Sequence, residues 1–301
     1  MRVIVTGGCG FIGSHLVDTL IDQNHQVTVI DDCSAISNER FYFNKSALYL
    51  KYDIQDYSLI EPLFRNTDYV FHLAAESRIQ TAVANPLYSV KTNMIGTANV
   101  LQAARLGGVK RVIYSSTSSV YGLNETAPID EAVPIDCLNP YSASKYGGEV
   151  LCKMYSKMYN LDTLIFRYFN VYGERSPTAG QYAPVIGIFL KQNQNNMPLT
   201  IVGTGLQRRD YVYVKDVVQA NILGMLYNKN LDGSVMNVGS GKNYSVLEIA
   251  SAISNNIMHI QPRPGEAKTT LANIIKIQST LGFKPSLDVQ DWIKINLHYG
   301  K

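Results

Sequence analysis

The stretch Arg2-Val3-Ile4-Val5-Thr6-Gly7-Gly8-Cys9-Gly10-Phe11-Ile12-Gly13 decides the reading of the fold. A short apolar run ends at a cluster of glycines, and an amphipathic segment follows at once. This predicts a strand over Arg2–Thr6, a tight turn, and a helix over Phe11–Gln23. Gly7, Gly10 and Gly13 stand in G-x-x-G-x-x-G spacing. Glycine there lets the backbone turn sharply and approach a pyrophosphate, which the positive end of the following helix attracts. A glycine run by itself also fits an ordinary strand-to-helix turn; its position between a strand and a helix at the N-terminus is what raises its weight.

Working outward, Gln26–Asp31 predicts a second strand that runs into Asp32. A carboxylate at the end of the second strand suits the ribose hydroxyls of an adenosine. Two adjacent acids also bear on cofactor choice. A 2′-phosphate about 4 Å from one of them would meet roughly 4 kcal/mol of repulsion at an effective dielectric near 20. Neither Cys33 nor Ser34 supplies an offsetting guanidinium, so NAD is expected over NADP.

Further apolar runs at Leu48–Tyr52, Tyr69–Leu73, Arg111–Ser115 and Asp162–Phe166 alternate with helical patterns near Tyr57–Phe64, Leu87–Leu106 and Pro140–Tyr159. Alternation of this kind implies βαβ units, a parallel sheet and helices on both faces, that is, a Rossmann-type doubly wound α/β fold. After about Tyr172 glycine, proline and polar clusters become frequent. This predicts an NAD-binding domain over residues 1–172 and a smaller α/β substrate domain over 173–301. The boundary is soft, because Val235–Val238 can return to the main sheet. Gln192–Asn196 reads as a solvated loop, and short helices are expected near Val246–Asn255 and Val289–Leu297.

Composition narrows the function. The 301 residues carry a formal net charge of +3 with 17% charged residues, without charge blocks. That excludes neither catalysis nor small-ligand binding, but it argues against nucleic acid or a membrane surface as partner. The four cysteines have no C-x-x-C spacing and the five histidines no ligand pattern, so no metal or disulfide framework is expected. No secretory signal is apparent ahead of the first strand, and no apolar run is long enough to span a bilayer. A cytoplasmic protein is expected.

Asn139-Pro140-Tyr141-Ser142-Ala143-Ser144-Lys145 holds Y-x-x-x-K at a helix start. Tyr141 and Lys145, four apart, share one helix face. A phenol is a poor base at its ordinary pKa near 10; a nearby ammonium and a positive nicotinamide would need roughly 4 kcal/mol of differential interaction to lower it by about 3 units. Upstream, Tyr114-Ser115-Ser116-Thr117-Ser118-Ser119 follows an apolar strand, where ligand-binding loops leave a parallel sheet. Each pattern alone has a bland explanation; their joint order along the chain does not.

Together these residues resemble the extended short-chain dehydrogenase/reductase family, within it the NAD-dependent epimerases and dehydratases, over nearly the whole chain. The resemblance implies a catalytic set of Thr117, Tyr141 and Lys145. It implies cofactor contacts at Gly7, Gly10, Phe11, Ile12, Gly13, Asp31, Asp32, Asp53, Ile54, Leu73, Ala74, Ala75, Ser77, Asn93, Ser115, Tyr168 and Phe169, besides Tyr141 and Lys145. Phe166–Gly173 matches the segment that ends the cofactor domain. Substrate contacts are implied at Thr117, Asn170, Gln181, Tyr182, Arg209, Arg263, Glu266 and Thr270, with the two arginines suited to a pyrophosphate.

The implied reaction is inversion at C4 of a UDP-hexose through a 4-keto intermediate, with no net oxidation. Dehydratases of this family carry Asp-Glu directly after the catalytic Thr, and the related decarboxylases keep the Glu; here Ser118 and Ser119 stand instead. Asn273 replaces a frequent aspartate. Thr270 stands where some members carry a bulky tyrosine, so room for a 2-acetamido group, and UDP-N-acetylhexosamines as substrates, are expected. A UDP-uronate 4-epimerase and a non-catalytic NAD-binding sensor are the rival readings. Leu151, Met154, Tyr155 and Met158 form an apolar stripe that suits core packing or a homodimer; the resemblance implies the dimer.

Overall fold

The computed structural model describes residues 1–35, 40–124, 126–178, 184–261 and 267–299. Its centre is a seven-stranded parallel sheet. The strands are β1 (Arg2–Thr6), β2 (Gln26–Ile30), β3 (Leu48–Leu50), β4 (Tyr69–His72), β5 (Arg111–Thr117) and β6 (Thr163–Tyr168), joined after β7 (Asn170–Tyr172), β8 (Leu199–Val202) and β9 (Arg208–Tyr213) by β10 (Ser234–Val238). The order is β10-β6-β5-β4-β1-β2-β3. The chain therefore leaves the sheet after β6 and re-enters it at β10, parallel to β6 with Ser234 opposite Leu164.

Apolar residues occupy both faces of these strands, as parallel strands between two helical layers require. In β1, Val3 and Val5 face a core shared with the Phe11–Asp22, Val214–Leu226 and Ile275–Leu281 helices. Ile4 faces the opposite core, built with the Gly96–Gly107 and Pro140–Tyr159 helices. The one-residue alternation of the pleat is what feeds both cores from a single strand.

A smaller lobe packs across the carboxyl end of the sheet. It holds a three-stranded sheet of β7, β9 and β11 (Asn243–Ser245), and a parallel pair of β8 with β12 (Ile257–Ile260). Its core joins Phe189, Ile201, Tyr211, Ile249 and Trp292. No helix among the described residues is long and apolar enough to cross a membrane.

Two local expectations are corrected. Gln192–Gln194 are not loop; they close the Val185–Gln194 helix. The buried Ile186 and Phe189 drive that helix, and the Gln192 amide pairs with Thr200 on β8, accepting its backbone N–H at 3.1 Å and donating to its hydroxyl at 2.8 Å. The helix expected over Leu87–Leu106 is interrupted: Pro86–Val90 and Gly96–Gly107 flank a π-turn at Lys91–Ile95. Such a turn re-aims side chains that an unbroken helix would place elsewhere.

Candidate active site

The strand order reverses between β1 and β4. Crossovers there leave in opposite directions and open a crevice at the strand ends. A cleft of about 1190 Å³ lies at this point, lined by residues of the main sheet and of the smaller lobe.

Its floor is glycine backbone. Gly7 has φ +73°, and a Cβ on it would stand 2.6 Å from Ala74 N. A Cβ on Gly13 would strike the Gly7 carbonyl oxygen. The loops after β1 and β4 are thus in backbone contact. A buried chain holds them there: the Thr6 hydroxyl accepts from Ala74 N at 3.2 Å and meets His72 Nδ1 at 2.7 Å, while His72 Nε2 meets the Thr97 hydroxyl at 2.9 Å. Thr97 donates its own proton to Asn93 O, so Nε2–H is the donor and Nδ1 accepts from Thr6. Burial drops the His72 pKa to about 3, which keeps the strut neutral.

Gly10 caps the Phe11–Asp22 helix without any side-chain hydrogen bond. An anion can therefore take the first-turn N–H groups. One strand over, Asp31 lines the cleft with its carboxylate fixed at both oxygens, Oδ2 accepting Cys9 N–H and Oδ1 accepting Cys33 N–H, each at 2.9 Å. Asp32, Asp53 and Ile54 line the same end, followed by Leu73, Ala74, Ala75 and Ser77. The cradle that Cβ atoms would fill, the uncapped helix and the adjacent carboxylate fit a dinucleotide.

Among the described residues expected to touch the cofactor, Asn93 alone stands behind the wall and does not line the cleft. It is buried in the π-turn. Its amide donates to Glu76 O at 3.0 Å and Ser144 Oγ at 2.9 Å, and accepts Glu76 N–H at 2.8 Å. It stitches the loop after β4 to the Pro140–Tyr159 helix.

That helix begins with a capping box in which Asn139 Oδ1 accepts Ser142 N–H at 2.9 Å. The cap fixes Tyr141 in the first turn, half-buried in the cleft wall. Thr117 ends β5 and accepts Ser119 N–H at 3.1 Å; it lines the cleft with Tyr141. Ser115, Thr117, Tyr141, Lys145, Tyr168 and Phe169 all line the same cleft.

Burial raises the Tyr141 pKa above its ordinary value; the Thr117 hydroxyl and the Arg78 guanidinium oppose that rise, and the Glu76 carboxylate reinforces it. Arg78, on the loop after β4, is thus a cation that favours the phenolate. Lys145 Nζ lies 4.3 Å from the Tyr114 ring centroid, and burial drops its pKa to about 7 against the pull of Cys152 and Glu149. Arg78 lies in a loop without periodicity, so nothing in the sequence marked it.

A second feature escaped the sequence. Glu149, two turns past Tyr141, is fully buried and paired with Arg167 at 2.7 Å. Its Oε1 also accepts the Ser116 hydroxyl at 2.5 Å and Arg167 Nε at 2.9 Å. The pair ties β5, β6 and the Tyr141 helix together directly beneath the reactive hydroxyls. Ser116, although on the cleft, is committed to it.

The far end is side-chain built. Arg209 on β9 lines the cleft, its guanidinium anchored to Arg208 O at 2.9 Å and Ala267 O at 2.7 Å. Asn170 lines it while donating to Asp210 O at 3.0 Å. Thr270 lines it beside Asp210 N. The buried Tyr211 hydroxyl, on the same wall, has no hydrogen-bond partner among the described residues; a ligand oxygen would satisfy it. Gln181, Tyr182, Arg263 and Glu266 lie outside the described residues.

The pattern of the NAD dependent epimerase/dehydratase family matches residues 3–239. A UDP-glucose 4-epimerase of Mycolicibacterium smegmatis is 33% identical, covering 97% of this chain and 96% of its own. The Thermotoga maritima UDP-glucose 4-epimerase, solved with UDP-glucose, superposes with a TM-score of 0.92 at 33% identity, covering 100% of this chain and 98% of that one. A UDP-N-acetylglucosamine 4-epimerase from Methanobrevibacter ruminantium, in complex with UDP-N-acetylmuramic acid, has a TM-score of 0.92 at 34% identity, with 99% and 98% covered. On this match the chain belongs to the NAD dependent epimerase/dehydratase family.

Proposed function

We propose that this protein binds NAD and inverts C4 of a UDP-hexose. The observation that carries the reading is that Thr117, Tyr141 and Lys145 line one cleft with a glycine cradle at one end and Arg209 at the other. Relatives solved with UDP-glucose, with UDP-N-acetylmuramic acid and with UDP-glucuronic acid match nearly the whole chain.

Gly7–Gly13 and Asp31 would hold the dinucleotide, and NAD supplies a two-electron acceptor that returns the electrons within the same turnover. This chain's own residues handle the proton. Tyr141 Oη takes it from the sugar 4-hydroxyl as the ketone forms and returns it to O4 after the sugar has turned over. Thr117 Oγ1 orients the phenol and the reacting oxygen. Arg78 stabilises the phenolate form against burial, and Lys145, with a pKa near 7, is poised to exchange a proton at neutral pH. Arg209 grips the pyrophosphate through both chemical stages, so the ketone can present its other face without leaving the cleft. Ser118 and Ser119 supply no carboxyl group for elimination, which favours epimerisation over dehydration.

The small Thr270 on the cleft wall supports acceptance of a 2-acetamido group, hence UDP-N-acetylhexosamines as well as UDP-glucose and UDP-galactose. The test incubates the purified protein with NAD and a panel of UDP-hexoses, their N-acetyl forms and UDP-uronates, with C4 configuration read by NMR. Inversion of the neutral hexoses is expected. Its absence across the hexoses would remove the activity, and clean rejection of the acetamido sugars would remove the role of Thr270.

A further inference from the structure

Cys9 sits in the glycine run after β1, and Cys33 follows the acids after β2. They are far apart in sequence, yet Cys9 Sγ, Cys33 Sγ and an Asp31 carboxylate oxygen all lie within 4.8 Å of one another. The arrangement is constrained. The Asp31 carboxylate bridges the two cysteine backbones through the N–H bonds already described, and Cys33 takes a left-handed φ of 55°, an uncommon conformation for a side chain branched past glycine. Cys9 is buried, Cys33 is half-buried, and Asp31 opens onto the cofactor end of the cleft.

We propose that Cys9, Cys33 and Asp31 form a site for a thiophilic divalent cation of the Zn²⁺ and Cd²⁺ class, and that this cation competes with the adenosine end of NAD. Two sulfurs and one carboxylate oxygen are a donor set that a borderline-soft ion prefers over Mg²⁺ or Ca²⁺. Two thiolates on one tetrahedral Zn²⁺ stand roughly 3.8 Å apart, a spacing that small rotations of side chains already within 4.8 Å can reach. A water or a ligand from the open cleft completes the fourth position, as in zinc sites that keep one position exchangeable.

Binding balances as an exchange of ions: M²⁺ enters and the two thiol protons leave to solvent, with no change of oxidation state. Because the cation displaces the thiol protons, affinity rises with pH. An Asp31 oxygen that ligates the cation is withdrawn from ribose hydroxyls, which is the origin of the competition. That half of the proposal rests on the NAD reading given above.

The test uses the reduced full-length chain, freed of bound nucleotide, titrated with Cd²⁺ while the thiolate-to-metal charge-transfer band is followed in the ultraviolet. One Cd²⁺ per chain is expected, with a band that grows with pH, loses tenfold or more in affinity in Cys33→Ser, and persists in Cys137→Ser. Saturating NAD should weaken the apparent Cd²⁺ affinity at least tenfold. No band, or equal affinity in wild type and Cys33→Ser, overturns the site; a band indifferent to saturating NAD overturns the competition. NAD binding to the metal-free chain is measured separately by calorimetry. Should NAD fail to bind there, the cofactor reading falls, and the band with its loss in Cys33→Ser still decides the site.

Discussion

The two ends of the cleft are built from different material. At the cofactor end the wall is backbone: Gly7 against Ala74, Gly13 against Gly7, and an uncapped helix start. At the far end it is side chains: Arg209, Asn170, Thr270 and the unpartnered Tyr211 hydroxyl. A backbone wall tolerates almost no change, because no rotamer can absorb a clash. A side-chain wall can be retuned one residue at a time, which is how one scaffold comes to host several sugar chemistries. Between the two ends stand Thr117 and Tyr141, on a strand and a helix that the Glu149–Arg167 pair ties together through Ser116.

The comparison yields graded predictions. The largest effect belongs to the centre. Tyr141→Phe should lower turnover about 10³-fold or more with folding and NAD affinity retained; unchanged turnover in a folded, NAD-binding variant would remove Tyr141 from the chemistry. Next comes the rigid end. In Gly13→Ala the added methyl meets the Gly7 carbonyl, and about 1–3 kcal/mol of overpacking should appear as a 10- to 100-fold loss of NAD affinity by calorimetry. Wild-type affinity there would mean that the floor is softer than its contacts imply.

The adaptable end should respond less and in a different parameter. Arg209→Ala should raise KM for a UDP-sugar about tenfold, from the loss of roughly 1.5–3 kcal/mol of charged hydrogen bonding, and leave NAD affinity unaltered. A fall in NAD affinity instead would show that the two ends are not separable.

The smallest effect concerns pH. Lys145 has a folded pKa near 7, below its ordinary value. Folding therefore sheds a proton between about pH 7 and the ordinary lysine range. The burden of this group is full below pH 7 and is relieved as pH rises. Relative to Lys145→Met, the wild type should gain on the order of 1–3 kcal/mol of unfolding free energy from pH 7 to pH 10, read from urea midpoints. A flat difference would show that Lys145 stays charged in the fold.

Much of the cofactor end was legible in order along the chain. Strand, glycines, helix, second strand and acid follow one another within the first 32 residues, and each is a local pattern. The helix start that carries Tyr141 and Lys145 was legible, but the capping box at Asn139 that places Tyr141 was not read there. The interrupted helix was not legible, because Lys91–Ile95 has ordinary helical residues and only the demand on Asn93 to reach Glu76 and Ser144 selects a π-turn. Nor was the helix through Gln192, where burial of Phe189 outweighs the polar composition of its last turn.

By itself, then, the sequence determined the doubly wound sheet, the glycine cradle and the pairing of Tyr141 with Lys145 on one helix face, because all three depend on spacings of a few residues. Tertiary structure alone decided that Arg78 comes to act on the phenol, that Glu149 pairs with Arg167, and that Cys9 meets Cys33. Those meetings depend on which strand ends the crossovers bring side by side and on how deeply burial shifts each charge, and neither is encoded in any local run of residues.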